Sequence, residues 1–571
     1  MPTLPSALRA RARRNRVLRG LVRRRRASRW LIPWSQLPGH EVPQDLHPPA
    51  KRKILLGTDV GGHLNGTVLE AALGAALRMR GHGVDMLLCD GVLPACLECT
   101  YVQVEPDRMA RSGPQGSLCS YCHRSGTRAV EGLDIRTHVF SALVTPADRE
   151  EAHRIASAAT VQDVSSLELD ALRVGEHALA GTLRFFARAE LDSSLQELVI
   201  LRRYVEAAVI TVRAAQALLR REKYDVAVFH HGIYVPQGLL GEVCRAEGVR
   251  VVNWNPGYRS RTFIFSHHNT YHHTLMDEPT SMWEDQGWDD EREQRVLEYL
   301  ESRWSGSRDW IYFHREPQHD VEAIEHEVGI DFSARPTIGL LTNVMWDAQL
   351  HYPANAFPTM RDWVVQTVGW FAEHPELQLL IRVHPAEITG WLPSKQQVEA
   401  EIRREFPDLP ENVYVVGPDS QVSTYAAMLQ CDSVIIFGTK TGVELTSLGV
   451  PVIVAGEAWI RGKGVTRDVT TRESYADILA TLPVGQRMSQ AETSRARQYA
   501  FHFFFRRMIP LEFMEPTGVA IPVYWAAVRD MSQLAPGASV GLDVVCSGII
   551  DGTPFVFPAD RVGTYDDAGV V

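Results

Sequence analysis

The chain has 571 residues, 45% hydrophobic and 22% charged, enough for two or three domains with sizeable cores. Its net charge of −10 is unevenly spread: residues 1–30 hold eleven Arg and no acid, leaving 48 basic against 69 acidic residues in the remainder. Such an acidic body repels phosphates, which excludes nucleic acid as a partner, and no run of eighteen apolar residues suggests a membrane-spanning helix.

Residues 1–50 read as a basic tail and linker. Apolar residues alternate with Arg and end in Trp30, Leu31, Ile32 and Trp34. Such a segment would lie on an anionic membrane surface, each Arg contributing about 1 kcal/mol. The alternative is a tail without a partner. The basic stretch is not followed by a continuous apolar run, so it does not read as a signal peptide. The expected location is cytoplasmic, peripheral on the inner face of the membrane. Eight Cys in that compartment would be thiols or metal ligands.

Residues 51–330 read as a first α/β domain. The apolar run Lys53–Leu56 breaks into the Gly-rich loop Gly57–His63, followed by a helical period and a strand over Val84–Cys89. The GxGxxG dinucleotide fingerprint is absent. An insertion over 96–135 carries Cys96-x2-Cys99 and Cys119-x2-Cys122, the spacing of a four-thiolate structural zinc knuckle. An iron–sulfur cluster or free thiols are the alternatives. Residues 147–223 are mostly helical. A strand over Asp225–Phe229 then leads to His230-His231. Asp59 and His231 follow strands at the face where an acceptor hydroxyl would lie, so either is a candidate general base.

Residues 331–488 read as a second α/β domain. Its first strand leads to Asn343, Trp346 and Asp347. The apolar run LQLLIRV ends at Arg382-Val383-His384-Pro385-Ala386-Glu387. A later run, SVIIF, ends at Gly438-Thr439-Lys440-Thr441-Gly442, with Glu444 one turn on. In a doubly wound sheet, ligands sit beyond the carboxyl ends of the strands. The expected donor-site residues are therefore Asn343, Arg382, His384, Glu387, Gly438, Thr439, Lys440, Thr441, Gly442 and Glu444. His384 would stabilise charge on a departing phosphate, or else only cap a helix. The 438–442 loop suits a diphosphate or nucleoside monophosphate, and Glu444 a ribose diol; a tight turn is the alternative. Residues 489–531 read as terminal helices and 532–571 as a tail.

The sequence Arg382-Val383-His384-Pro385, Asp432–Ile435, Glu444 and Gly449-Val450-Pro451 resembles bacterial capsule polysaccharide biosynthesis proteins. More broadly it is similar to two-domain GT-B transferases with a His-Pro motif and to teichoic-acid polyol-phosphate transferases. The resemblance implies two Rossmann-like domains. It also implies a CMP-, CDP- or UDP-linked sugar donor and a glycan or glycolipid acceptor. It assigns donor-phosphate contact to His384, Thr439 and Thr441. The activity expected is glycosyl transfer. The rivals are polyol-phosphate transfer from a CDP-alcohol, sugar-nucleotide 2-epimerisation, and a non-enzymatic assembly role at the membrane.

Overall fold

The computed structural model describes residues 30–40, 51–114, 116–305, 308–309, 317–348, 350, 352–516 and 524–560. The first lobe is built on six strands: β1 (Lys53–Asp59), β2 (Gly83–Leu88), β3 (Arg136–Val139), β4 (Val226–His230), β5 (Arg250–Pro256) and β6 (Thr262–His267). They lie in the order β3-β2-β1-β4-β5-β6, parallel except for β6. The second lobe repeats the winding with β7 (Thr337–Leu341), β8 (Gln378–Arg382), β9 (Val413–Val416), β10 (Ser433–Ile436), β11 (Val452–Val454) and β12 (Arg467–Asp468). Their order, β9-β8-β7-β10-β11-β12, is all parallel. This is the doubly wound Rossmann order, with a crevice where the winding reverses, at β1/β4 and at β7/β10.

The central strands are apolar on both faces, as parallel strands covered by helices must be. Ile54, Leu55 and Leu56 in β1 and Leu379, Leu380 and Ile381 in β8 are all at 0% exposure. In the first lobe the helices Leu64–Met79, Val174–Phe186 and Leu195–Arg221 supply the covering layers. The Gly-rich loop after β1 is set by packing. A Cβ on Gly61 would stand 2.5 Å from the backbone of Gly126, so only glycine lets the loop meet the helix Ser117–Ala129.

Three boundaries differ from the sequence-based expectation. The helix Val321–Val328 packs on the second lobe, and Gln318 bridges Val422, so that lobe begins near 318 rather than 331. The terminal segment is helical only in part. The helix Gln490–Phe501 runs into a π-helical turn, His502–Arg507. The chain then adds β13 (Ile509–Pro510) antiparallel to β6 of the first sheet. The expected tail contains the helix Val540–Asp551, held on the first lobe where Arg250 donates to the carbonyls of Gly548 and Ile549 at 2.8 and 2.6 Å.

A fourth correction concerns the apolar end of the basic tail. Trp34 is 1% exposed, its indole N–H donates to the Ala129 carbonyl at 2.7 Å, and Ile32 is buried beside it. These side chains are part of the first lobe's core and do not face a membrane. The eleven Arg lie outside the described residues. Among the described residues, no helix is long and apolar enough to cross a membrane.

Candidate functional site: a cavity between the strand ends of the two lobes

A cavity of about 450 Å³ opens at the carboxyl ends of the second lobe's strands, facing the first lobe. Three loops, after β7, β8 and β10, converge on it. They are tied to one another before any ligand arrives. The His384 N–H donates to Thr342 Oγ1 at 3.2 Å, and Asn343 Nδ2 donates to the Gly438 carbonyl at 3.0 Å. His384, Thr439, Lys440 and Thr441 all line this hollow, with Asn343 and Gly438.

The hydrogen bonds define the chemistry of these groups. The backbone N–H of Ala386 donates to His384 Nδ1 at 3.1 Å. A neutral His384 must therefore carry its proton on Nε2, where it can serve as a donor. Thr439 and Thr441 present paired hydroxyls 3.2 Å apart, and the Thr441 N–H donates to Thr439 Oγ1 at 3.3 Å. The result is a cluster of neutral donors suited to phosphate oxygens.

The cation in this loop is already partnered. Lys440 Nζ donates to Glu444 Oε1 at 2.8 Å and lies 4.8 Å from the centre of the Tyr258 ring. Glu444 is 0% exposed. It also accepts from Tyr425 Oη at 2.6 Å and pairs with Arg303 Nε at 2.8 Å. Arg303 in turn pairs with Asp309. Burial opposes ionisation of Glu444, but Arg303 and Lys440 hold its carboxyl below the ordinary range. Two cations and two carboxylates thus form a network in the cavity wall, with Arg303, Asp309 and Lys440 lining the cavity and Glu444 behind them. Sequence reading missed Arg303, Asp309 and Tyr425, because they come from the acidic segment between the lobes and from a helix with no distinguishing motif.

Several expected ligand residues therefore do not face the cavity. Glu444 is enclosed by its three partners and is not presented to a ribose. Glu387 is also 0% exposed; its Oε1 accepts from the Val398 N–H at 3.1 Å, and burial pushes its carboxyl up to about 7. Gly442 fits tightly against strand side chains: a Cβ there would come within 2.6 Å of Ile436 Cδ1. Arg382 borders the cavity at 2% exposure, but its guanidinium donates to the carbonyls of Val383, Gly417 and Ser420. Burial lowers its pKa to about 10. It shapes the loops around the cavity. Trp346 packs, with its indole N–H on Ser394 Oγ at 3.0 Å.

The opposite wall comes from the first lobe. His231 lines the cavity in a left-handed conformation, φ 66°, rare for a residue with a Cβ. Its Nδ1 is buried without a hydrogen-bond partner, and burial, with Arg184 nearby, pushes its pKa down to about 3. Asp59 also has positive φ, 52°, but turns inward. It is 0% exposed, neither carboxylate oxygen has a partner, and burial and Glu70 raise its pKa well above the usual range. It does not line the cavity. His272, stacked at 5.5 Å on Trp459, also lines the cavity; its His-rich stretch reads from sequence as either an anion-binding segment or ordinary surface.

The four cysteines do not close into a tetrahedral set. Cys96 and Cys99 approach to 3.8 Å between sulfurs. Cys119 and Cys122 sit on the helix Ser117–Ala129, where Cys119 Sγ donates to the Pro114 carbonyl and Cys122 Sγ accepts from the Gly62 N–H at 3.1 Å. Among the described residues, no group of three or more His, Cys, Asp or Glu is placed to hold a metal ion.

Two Rossmann-like lobes facing each other across this cavity define the GT-B class of α/β architecture. Residues 319–501, in the second lobe, match the family model described as capsule polysaccharide biosynthesis protein. Among solved structures, the chain is similar to the KpsC β-Kdo 2,4-transferase of Thermosulfurimonas dismutans, at 15% identity and a TM-score of 0.32, covering 48% of this chain and 80% of that one. The KpsC β-Kdo 2,7-transferase from the same organism aligns at 13% identity and a TM-score of 0.30, over 56% and 88%. UDP-GlcNAc 2-epimerase from Neisseria meningitidis aligns at 10% identity and a TM-score of 0.21, over 79% and 94%. No curated protein sequence matches the chain.

Proposed function

We propose that the protein is a glycosyltransferase that moves a sugar from a nucleotide-linked donor to a capsule-type glycan or glycolipid. One observation carries this reading: His384 and the Thr439/Thr441 hydroxyls, 55 or more residues apart in sequence, share one cavity at the winding reversal of the second lobe. In this reading the donor phosphate lies against His384 Nε2–H and the two hydroxyls. The bond between the anomeric carbon and the phosphate oxygen breaks, and the nucleotide leaves with the electron pair. These three donors stabilise the charge gained by the phosphate.

An acceptor hydroxyl from the first-lobe side forms the new bond to the anomeric carbon and gives its proton to a base. His231 is the side chain best placed for that task, because it faces the cavity with Nδ1 unpartnered. Its depressed pKa keeps the imidazole neutral and able to accept a proton. A bound anionic donor would raise that pKa toward neutrality, since opposite charge favours the imidazolium. Asp59, turned into the core, serves less well.

The test is a calorimetric titration of CMP, CDP and UDP into the full chain and into His384→Ala. At least one nucleotide should bind the native protein, with affinity reduced tenfold or more by the substitution. Failure of all three to bind, or equal affinity in the variant, overturns the reading.

A further inference from the structure

We propose that a second cavity, at the base of the first lobe, binds a phosphate group through Lys51, Arg52 and His82. It lies at the amino ends of β1 and β2, on the side of the sheet away from the cleft, so it stands independently of the transferase reading.

The cavity holds about 700 Å³ and is bounded by the chain entering β1, the turn before β2 and the helix Val540–Asp551. His82 lines it at 7% exposure, and its buried Nδ1 has no hydrogen-bond partner. Burial lowers the His82 pKa. Lys51, Arg52 and Arg80 lower it further, and only Asp551 opposes them. An imidazole that feels three cations and one carboxylate sits in an excess of positive charge. A bound anion would neutralise that excess.

Some of the charges here are already committed. Arg80 Nη1 donates to the Ala76 and Leu534 carbonyls at 2.9 and 2.8 Å, and its Nη2 pairs with Asp543. Asp543 also accepts from the Gly537 N–H at 2.9 Å. Asp551 acts on Arg250 as well as on His82. Lys51 is exposed, and among the described residues it makes no ion pair. Arg52 meets Asp225 only at 3.8 Å, with the two side chains 41% and 45% exposed, a contact that solvent weakens. Lys51 and Arg52 are therefore available to a ligand, and Ser547 lines the same hollow. A phosphate matches this set. Its charge offsets two cations and draws a proton onto His82, and its oxygens suit an ammonium, a guanidinium fork and a hydroxyl.

Two sources could supply this group: the headgroup of an anionic lipid or a soluble phosphate ester. The eleven Arg near the start of the sequence, the last of them Arg29, immediately precede a segment that docks close to the cavity. In that segment the Pro38 carbonyl accepts from the Met531 N–H at 3.1 Å. The turn Met531–Leu534 ends on the carbonyl to which Arg80 donates. Clustered basic residues favour an anionic bilayer surface, whereas a soluble ester needs the cavity alone.

The full chain is titrated calorimetrically with glycerol 3-phosphate, and its retention on phosphatidylglycerol vesicles is compared with that on phosphatidylcholine vesicles. Native protein should bind the ester near neutral pH and take up part of a proton, read by repeating the titration in buffers of different ionisation enthalpy. The pair Lys51→Gln/Arg52→Gln should weaken ester binding roughly tenfold, and His82→Gln should remove the proton uptake. If His82→Gln melts early, the exposed Lys51/Arg52 pair decides. Nucleotide affinity in the cleft should be unchanged by these substitutions. A lipid source predicts that Lys51→Gln/Arg52→Gln also lowers retention on phosphatidylglycerol, the Arg-rich residues being common to both proteins. A soluble source predicts equal retention on vesicles. Either result, with ester binding weakened, supports the site. Ester affinity untouched by Lys51→Gln/Arg52→Gln, ester binding abolished by His384→Ala instead, or no ester bound by native protein overturns it.

Discussion

The two lobes wind their strands in the same order but treat the polar residues at their strand ends differently. In the second lobe, the loops after β7, β8 and β10 direct Asn343, His384, Thr439 and Thr441 into the shared cavity. In the first lobe, the strand ends turn their carboxyls inward. Asp59 is sealed without a partner. Glu70 accepts from Thr58, Trp254 and the His230 N–H inside the core. Only His231, with its left-handed backbone, presents a polar group to the cleft from β4. The Rossmann winding provides a crevice, while the loop packing decides whether its polar residues meet a ligand or the core. This is why the second lobe reads as a charge-stabilising site and the first as a scaffold that offers the imidazoles of His231 and His272.

This contrast can be broken at four points. The largest effect is expected at the network in the cavity wall. Glu444→Ala would leave Arg303 and Lys440 buried without their carboxylate, a loss of about 3–5 kcal/mol that thermal unfolding would register. A melting temperature equal to that of native protein would show that the network is not essential to the loop. Next comes His384→Ala, which removes a donor to developing charge and should lower turnover by roughly 10²–10³-fold with little change in stability. Retained turnover would remove His384 from the mechanism. The double substitution Thr439→Ala/Thr441→Ala should weaken nucleotide binding by about 1.5–3 kcal/mol, the scale of hydrogen bonds to a charged group. Unchanged affinity would place the phosphate elsewhere.

The smallest effect sharpens the first-lobe side. Burial raises the Glu70 pKa from 4.5 to about 7, so the folded state holds a proton that the unfolded chain releases at lower pH. Its contribution is fully present below pH 4.5 and is lost as pH rises toward 7, at most roughly 3 kcal/mol in all. Relative to Glu70→Gln, native protein should therefore lose melting temperature between pH 4.5 and about pH 7. A difference between the two that stays constant with pH would show that Glu70 does not titrate in this range.

Much of the fold was legible because parallel strands buried on both faces read as short apolar runs, and the loops that follow them are marked by Gly and Pro. Lys53–Leu56, LQLLIRV and SVIIF all sit in β1, β8 and β10 or at their ends. Placing His384 beside the 438–441 loop required only the rule that ligands gather beyond strand ends. What was not legible depends on contacts across long separations. Trp34 looks like a membrane anchor until the Ala129 carbonyl is beside it. The strand Ile509–Pro510 is too short to announce itself and exists because β6 offers an edge. Glu444 looks like a ribose acceptor one turn into a helix, and only the approach of Arg303 and Tyr425 shows that its oxygens are taken.

The central claim is that a nucleotide's phosphate sits in the hollow shared by the β8 and β10 loops. A crystal structure of the full chain soaked with whichever of CMP, CDP or UDP binds would test it directly. The account predicts phosphate oxygens within hydrogen-bond reach of His384 Nε2 and of the Thr439 or Thr441 hydroxyl. A nucleotide bound with its phosphate outside that hollow, touching none of these three side chains, would contradict it.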